Sequence, residues 1–238
     1  VPDKLLHPRH TGIPPGFRPR GTEHTRMELF SDAVFAFALT LLVVSLEVPR
    51  TFHDLMQSMQ GFVAFAVCFA VLMQIWFKHY GWFRRYGLQD MTTRVLNSVL
   101  LFIVLFYVYP LKFLWTNLLG GGRAEFSLVE GRSLLIVYGL GGAAVFLVFV
   151  LLYRHAWRLR EELELSPLER YDTRSAVREN LLTAAVPLLS VVMALLLPDH
   201  LVGLAGWMYL SYGPLLTWNG MRDGRGRKKL EAAVEGER

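Results

Sequence analysis

The side chains in this sequence most able to do chemistry are polar or ionisable residues set inside or at the ends of apolar runs. Ser31 and Asp32 follow Arg26 and Glu28 at the head of one run, Trp76 and His79 close a second, and Asn97 opens a third. An ionisable group in hydrocarbon is costly without a counter-group or water, so each is a candidate either for holding helices together or for an ion path. Trp76 and His79 are three apart and share a helical face. Local pattern leaves two readings open for these residues. Ser31 and Asp32 can cap a helix or lie at the membrane interface, and Trp76 with His79 can be a belt tryptophan beside an interfacial histidine.

Beyond Asp32, the run from Ala33 to Val44 carries no charge. At about 100° per residue, Phe37, Leu41 and Val44 form one narrow stripe with Thr40 beside it. On its own such a stripe is ordinary packing. Ala33, Ala36 and Ala38 offer small faces for close helix approach, as do Gly139, Gly141, Gly142, Ala143 and Ala144 further on.

Enzymatic chemistry finds little support. There is no His-Glu-x-x-His, no Gly-x-Ser-x-Gly and no phosphate-binding glycine loop. His7, His10, His24, His53, His155 and His200 are scattered, and Cys68 is the single cysteine, so no metal site, cofactor or intrachain disulfide is expected.

The elements that must position these residues follow from hydropathy. Of 238 residues, 53% are hydrophobic and mean hydropathy is positive, more than one soluble core requires. About 20 apolar residues cross a bilayer as a helix. Six windows qualify, at Met27–Val48, Met56–Phe77, Leu96–Leu119, Leu134–Trp157, Leu181–Leu197 and Leu201–Trp218. The expected fold is therefore all-α and polytopic, with six transmembrane helices per subunit. Pro198, Asp199 and His200 read as a tight turn between the last two spans.

Charge orients these spans. With this division, 21 of the 25 Lys and Arg fall in the first, third, fifth and seventh intervening segments. By the positive-inside rule both termini are then cytoplasmic. The formal net charge of +5 is read as attraction to anionic lipid, not nucleic acid, because no nucleic-acid motif accompanies it.

The expected organisation is an arm over residues 1–25, a six-span domain over 26–220 with a cytoplasmic loop at 158–178, and a tail over 221–238. The arm is proline-rich, does not read as a secretory signal and is expected to be flexible; the tail is expected to be polar and mobile. Within the loop, Ser166-Pro167-Leu168-Glu169 has the pattern of a capping box, which predicts a short cytoplasmic helix there. No internal duplication is visible.

The run Arg26-Met27-Glu28-Leu29-Phe30-Ser31-Asp32 resembles the arginine, three residues, then Phe-Ser-Asp signature of the endosomal and lysosomal potassium channel family of the transmembrane protein 175 type. The resemblance continues in Trp76-x-x-His79 and Asn97, so motifs cover the first half of the chain. It implies a potassium-preferring cation channel in the cell membrane, without the carbonyl filter of other potassium channels. A protein with one six-helix unit would assemble as a homotetramer around a pore lined by its first helix.

Position by position, the family's hydrophobic constriction falls on Phe37, Leu41 and Val44, and its selectivity threonine on Thr40. Arg26, Phe30, Ser31, Asp32, Trp76, His79 and Asn97 match its interhelical hydrogen-bond cluster. Phe37 departs from the pattern, standing where a smaller aliphatic residue is usual. The alternatives are a secondary transporter, for which Pro187 and Pro214 could break helices but no paired polar site lies beside them, and a non-conducting membrane assembly protein.

Overall fold

The computed structural model describes Pro14, residues 16–21, 23–44, 51–53, 56, 59, 61–119 and 128–236. Its elements are helices, and no strand occurs among the described residues. In chain order they are α1 (Arg26–Val44), α2 (Phe62–Tyr86), α3 (Met91–Leu119), α4 (Leu128–Arg158), α5 (Pro167–Leu196), a short α6 (Gly203–Trp207) and α7 (Tyr212–Gly236). Helices α2 to α5 are each long and apolar enough to cross a membrane. Large apolar side chains such as Phe102, Phe106, Leu195 and Leu196 point outward, which water would penalise and hydrocarbon does not. This is a multi-pass membrane protein.

Helix ends follow local chemistry more closely than they follow hydropathy. Thr25 caps α1. Its hydroxyl accepts from the Glu28 N–H at 3.2 Å and its own N–H donates to the Glu28 carboxylate at 3.4 Å, the reciprocal geometry of a capping box. The second span runs nine residues past its expected end at Phe77, because Trp82, Phe83 and Tyr86 are buried and continue the core. It stops at Gly87, whose left-handed backbone (φ 61°) lets its N–H reach the Phe83 carbonyl. Asp90 then starts α3 by accepting from the Thr92 N–H and the Thr93 hydroxyl.

Ser166 and Glu169 form both halves of the capping box expected of them, with Pro167 at the first helical position. The helix they start is not a short separate one. It continues through Pro187 to Leu196, so most of the expected loop at 158–178 belongs to α5.

The sixth span differs most from expectation. Instead of one helix over Leu201–Trp218, a 3-10 turn at Asp199–Leu201, α6 and a second 3-10 turn at Met208–Ser211 lead into α7. That helix runs across residue 221 to Gly236, so the tail is helical where a mobile segment was expected. It is held by one face: Arg227 pairs with Asp172 at 3.0 Å, Asp223 with Arg178, and the Tyr171 hydroxyl donates to the Asp223 carbonyl at 3.2 Å. At the other end of α5, Arg132 donates to the carbonyls of Ala194 and Leu197 and to Asp199, satisfying the carbonyls a helix terminus leaves open.

Two groupings build the body of the protein. Helix α1 packs on α2 and α3, and α4 pairs along α5, with α3 joining the two groups through α4. The glycines of α4 serve this pairing. A Cβ on Gly139 would lie 2.5 Å from Val191 Cγ2 and 3.0 Å from the Pro187 carbonyl oxygen. Because the second neighbour is backbone, Gly139→Val is expected to cost about 1–3 kcal/mol. The check is a lowered melting temperature in detergent, and an unchanged one would mean that α4 and α5 can separate freely.

Candidate functional site

Helix α1 has two faces that differ sharply. Glu28, Ser31, Phe35, Ala38 and Leu42 are buried and follow one another by three or four residues, a single stripe against α2 and α3. Phe37 is 60% exposed, on the opposite side of the helix. Thr40 shares that side and Leu41 is half-buried at its edge. Val44 ends the helix, and its side chain lies outside the described residues. Ala38 packs inward as a small face should, whereas Ala33 and Ala36 lie on the exposed side. The Thr40 hydroxyl donates to the Phe37 carbonyl at 2.7 Å, so its proton is spent on the helix and only its lone pairs face outward.

The polar residues form two sets rather than one. In the first, the Trp76 indole N–H donates to Asp32 at 2.8 Å, joining α2 to α1. Trp76 also stacks on Tyr80 one turn further along α2. The second is a chain through three helices. His79 Nε2 lies 2.8 Å from the Asn97 carbonyl oxygen, the Asn97 amide donates to Ser31 Oγ at 2.9 Å, and the Ser31 hydroxyl donates to the Met27 carbonyl at 2.7 Å. Read in that direction, His79 carries its proton on Nε2. Ser31, His79 and Asn97 are almost fully buried, with the imidazole between Phe35 and Phe83.

Since Thr25 caps α1, Ser31 and Asp32 are not its cap. They sit more than a turn inside the helix and fasten it sideways.

Two residues expected in the cluster lie elsewhere. Phe30 is 64% exposed and Arg26 is exposed as well. Both line a groove of about 990 Å³ between α1 and α3, together with Val34, Arg94, Phe102 and Leu105. Phe30 has no polar side-chain atom, so its part can only be apolar contact.

One residue that sequence reasoning passed over is Lys112. It falls inside the third apolar window, Leu96–Leu119. Its ammonium donates to the Leu42 carbonyl at 2.9 Å and so tethers the far end of α1 to α3. The signal was available: a lysine within a span calls for a specific acceptor.

Losing Asn97 should show in stability. Asn97→Ala removes the acceptor of His79 and the donor to Ser31, leaving a buried imidazole N–H unsatisfied, at about 1–3 kcal/mol. The expected outcome is a lower melting temperature and a reduced yield of assembled protein, with His79→Ala behaving similarly. Full retention of both would mean that the chain contributes nothing to the fold.

A family model described as endosomal/lysosomal potassium channel TMEM175 matches residues 26–107, which hold α1, α2 and both hydrogen-bonded sets. A protein of Marivirga tractuosa named "Potassium channel" is 43% identical over 221 residues, covering 86% of this chain and 90% of that relative. The chain belongs to the TMEM175 potassium channel family. Among solved structures, a variant of the potassium channel MtTMEM175, crystallised with a nanobody fusion protein, superposes with a TM-score of 0.79 at 41% identity, over 89% of this chain and 98% of that one. A TMEM175 homologue from Chamaesiphon minutus shares the fold at 24% identity and a TM-score of 0.55, over 83% of this chain and 96% of that one. For a TMEM175 channel, the two-faced α1 and its lateral fastening are the features that most need a functional explanation.

Proposed function

We propose that this protein conducts potassium in preference to sodium through a pore lined by the outer face of α1, in a symmetric homotetramer with both termini in the cytoplasm. The observation that carries the reading is the exposed face of α1. Phe37 and Thr40, with Leu41 beside them, lie opposite the stripe that packs on α2 and α3. Among the described residues of a single subunit, nothing covers that face. Four copies around an axis would bring the faces together and enclose a path between them.

In such a path Phe37, Leu41 and Val44 would make three apolar rings. No carbonyl or carboxylate oxygen replaces the ion's water there, so an ion must keep part of its shell. Potassium, less tightly hydrated than sodium, passes at lower cost. The outward lone pairs of Thr40 are placed to contact that retained water. The two hydrogen-bonded sets hold α1 at a fixed rotation against α2 and α3, and Lys112 holds its other end. Rotation matters because 100° would exchange the lining residues for their neighbours.

The cytoplasmic placement of the termini rests on the Lys and Arg distribution. Potassium flux in liposomes reconstituted with purified protein, together with native mass spectrometry of the oligomer, tests the proposal. The expected outcome is tetramers and a potassium flux that needs no coupled ion. Flux that requires a counter-ion would favour a secondary transporter, and tetramers without flux a non-conducting assembly protein.

A further inference from the structure

We infer that the basic groove between α5 and the middle of α7 binds the phosphate headgroup of an anionic phospholipid of the inner leaflet. The groove measures about 470 Å³ and is lined by Arg178 from α5 and by Trp218, Met221, Arg222, Arg225 and Lys229 from α7. Among the described residues, no carboxylate lines it.

The arrangement comes from the two faces of α7. Asn219, Asp223 and Arg227 recur every four residues and turn toward α5, where Asp223 meets Arg178 and Arg227 meets Asp172. Trp218, Arg222, Arg225 and Lys229 recur by four, three and four on the neighbouring side, so three cations stand in a row over 10 Å or so of helix. Arg225 and Lys229 pair with no carboxylate among the described residues, and Arg222 lies 5.8 Å over the Trp218 ring. Gly226 lets the helix come down on the Tyr171 hydroxyl, where any Cβ would collide, and this closes the floor.

A lipid fits this surface better than a soluble anion. Trp218 and Met221, 59% and 58% exposed, stand at the membrane end of the cationic row and offer apolar area to acyl chains beside the charge. That sequence, apolar run then tryptophan then clustered Arg and Lys, is how a helix crosses the headgroup region of an anionic leaflet. Basic pockets between helices on this side of a membrane suit phosphate headgroups.

The proposal rests on the cytoplasmic placement of α7 given above, and the test separates the two. Purified channel in detergent is titrated with phosphatidylglycerol, phosphatidylcholine or inorganic phosphate. Bound lipid per subunit is read by native mass spectrometry, alongside the melting temperature. Phosphatidylglycerol should be retained and should raise the melting temperature, and the other two should not. At roughly fivefold per cation, the triple variant Arg222→Gln, Arg225→Gln, Lys229→Gln should lose about a hundredfold in affinity. Lys228→Gln, on the same helix but outside the groove, should lose little.

Equal retention of both lipids, or full retention by the triple variant, overturns the proposal. An equal effect of inorganic phosphate makes this a soluble-anion site and overturns the lipid assignment. Should the triple variant not fold, Lys229→Gln alone, at an exposed position, still must lose about fivefold. Detergent is blind to sidedness and to conduction, so a negative result counts against the groove alone. An error in the placement of α7 would appear instead as labelling of a cysteine at Lys228 from outside intact cells, with lipid retention unaffected.

Discussion

Glu169→Ala is expected to cost roughly 3 kcal/mol, more than any other single side-chain removal outside the apolar core, because one carboxylate closes two structures at once. Its Oε1 accepts from the Arg18 backbone N–H at 2.8 Å and from Arg20 Nη1 at 2.9 Å, and its Oε2 accepts from Arg20 Nη2 and from the Ser166 N–H, both at 2.9 Å. Two of these bonds form a bidentate pair between side chains only 12% and 3% exposed. Removing the carboxylate leaves the Arg20 guanidinium largely buried with carbonyls and the Phe17 ring beside it, which is the costly way to break an ion pair. It also removes half of the capping box that starts α5. Arg20 holds the Leu163 carbonyl as well, so the end of the N-terminal arm, the turn before α5 and α5 itself should loosen together. Differential scanning in detergent checks the stability loss. Limited proteolysis checks its location: cleavage near residues 16–25 and 159–166 should precede cleavage elsewhere. Glu169→Gln keeps one oxygen and should lose less.

This junction also marks where sequence reasoning reached its limit. Ser166-Pro167-Leu168-Glu169 announces a helix start because capping is a property of four consecutive residues. Thr25 and Glu28 carry the same pattern, and reading it would have placed the start of α1 at Arg26 and removed Ser31 and Asp32 from consideration as caps. Nothing local says that Glu169 will also receive Arg20 from about 150 residues away. The arm therefore looked free, while Phe17 is in fact buried against Tyr86 and Arg20 is tied down.

The spans were legible because lipid demands length and apolarity, and five of the six windows fall on α1 to α5. Their ends were less so. Met56–Phe77 follows hydropathy, whereas α2 follows burial to Tyr86 and the backbone permissiveness of Gly87. The last span misled most. Its apolar composition says nothing about the 3-10 turns that interrupt it, and the polar tail reads as mobile until Asp172, Arg178 and Tyr171 on α5 supply partners.

The site was legible to different depths. Trp76 with Asp32, and His79 with Asn97 and Ser31, are brought together at the shared depth that antiparallel spans imply. Phe30 and Arg26, carried in with the same motif, face a groove instead. Proximity in a motif does not place two residues on the same side of a helix: Phe30 and Ser31 are neighbours in sequence and roughly 100° apart around the axis.

The central claim is that the exposed face of α1 lines the ion path, and Phe37→Asn tests it most directly. In the proposed tetramer a ring of four phenylalanines could empty of water, and a ring of amides could not do so as readily while also offering oxygens to an unshelled ion. The measurement is potassium and sodium flux, with the reversal potential under mixed-ion conditions, through tetramers reconstituted in liposomes. Phe37→Asn is expected to raise flux at least severalfold and to move the reversal potential toward that of a non-selective cation pore, with Leu41→Asn acting in the same direction. Leu195→Asn, on the outer surface of α5, should do neither. Phe37→Asn and Leu41→Asn tetramers that conduct and select like the parent would contradict the account, and the path would then have to run elsewhere than along α1.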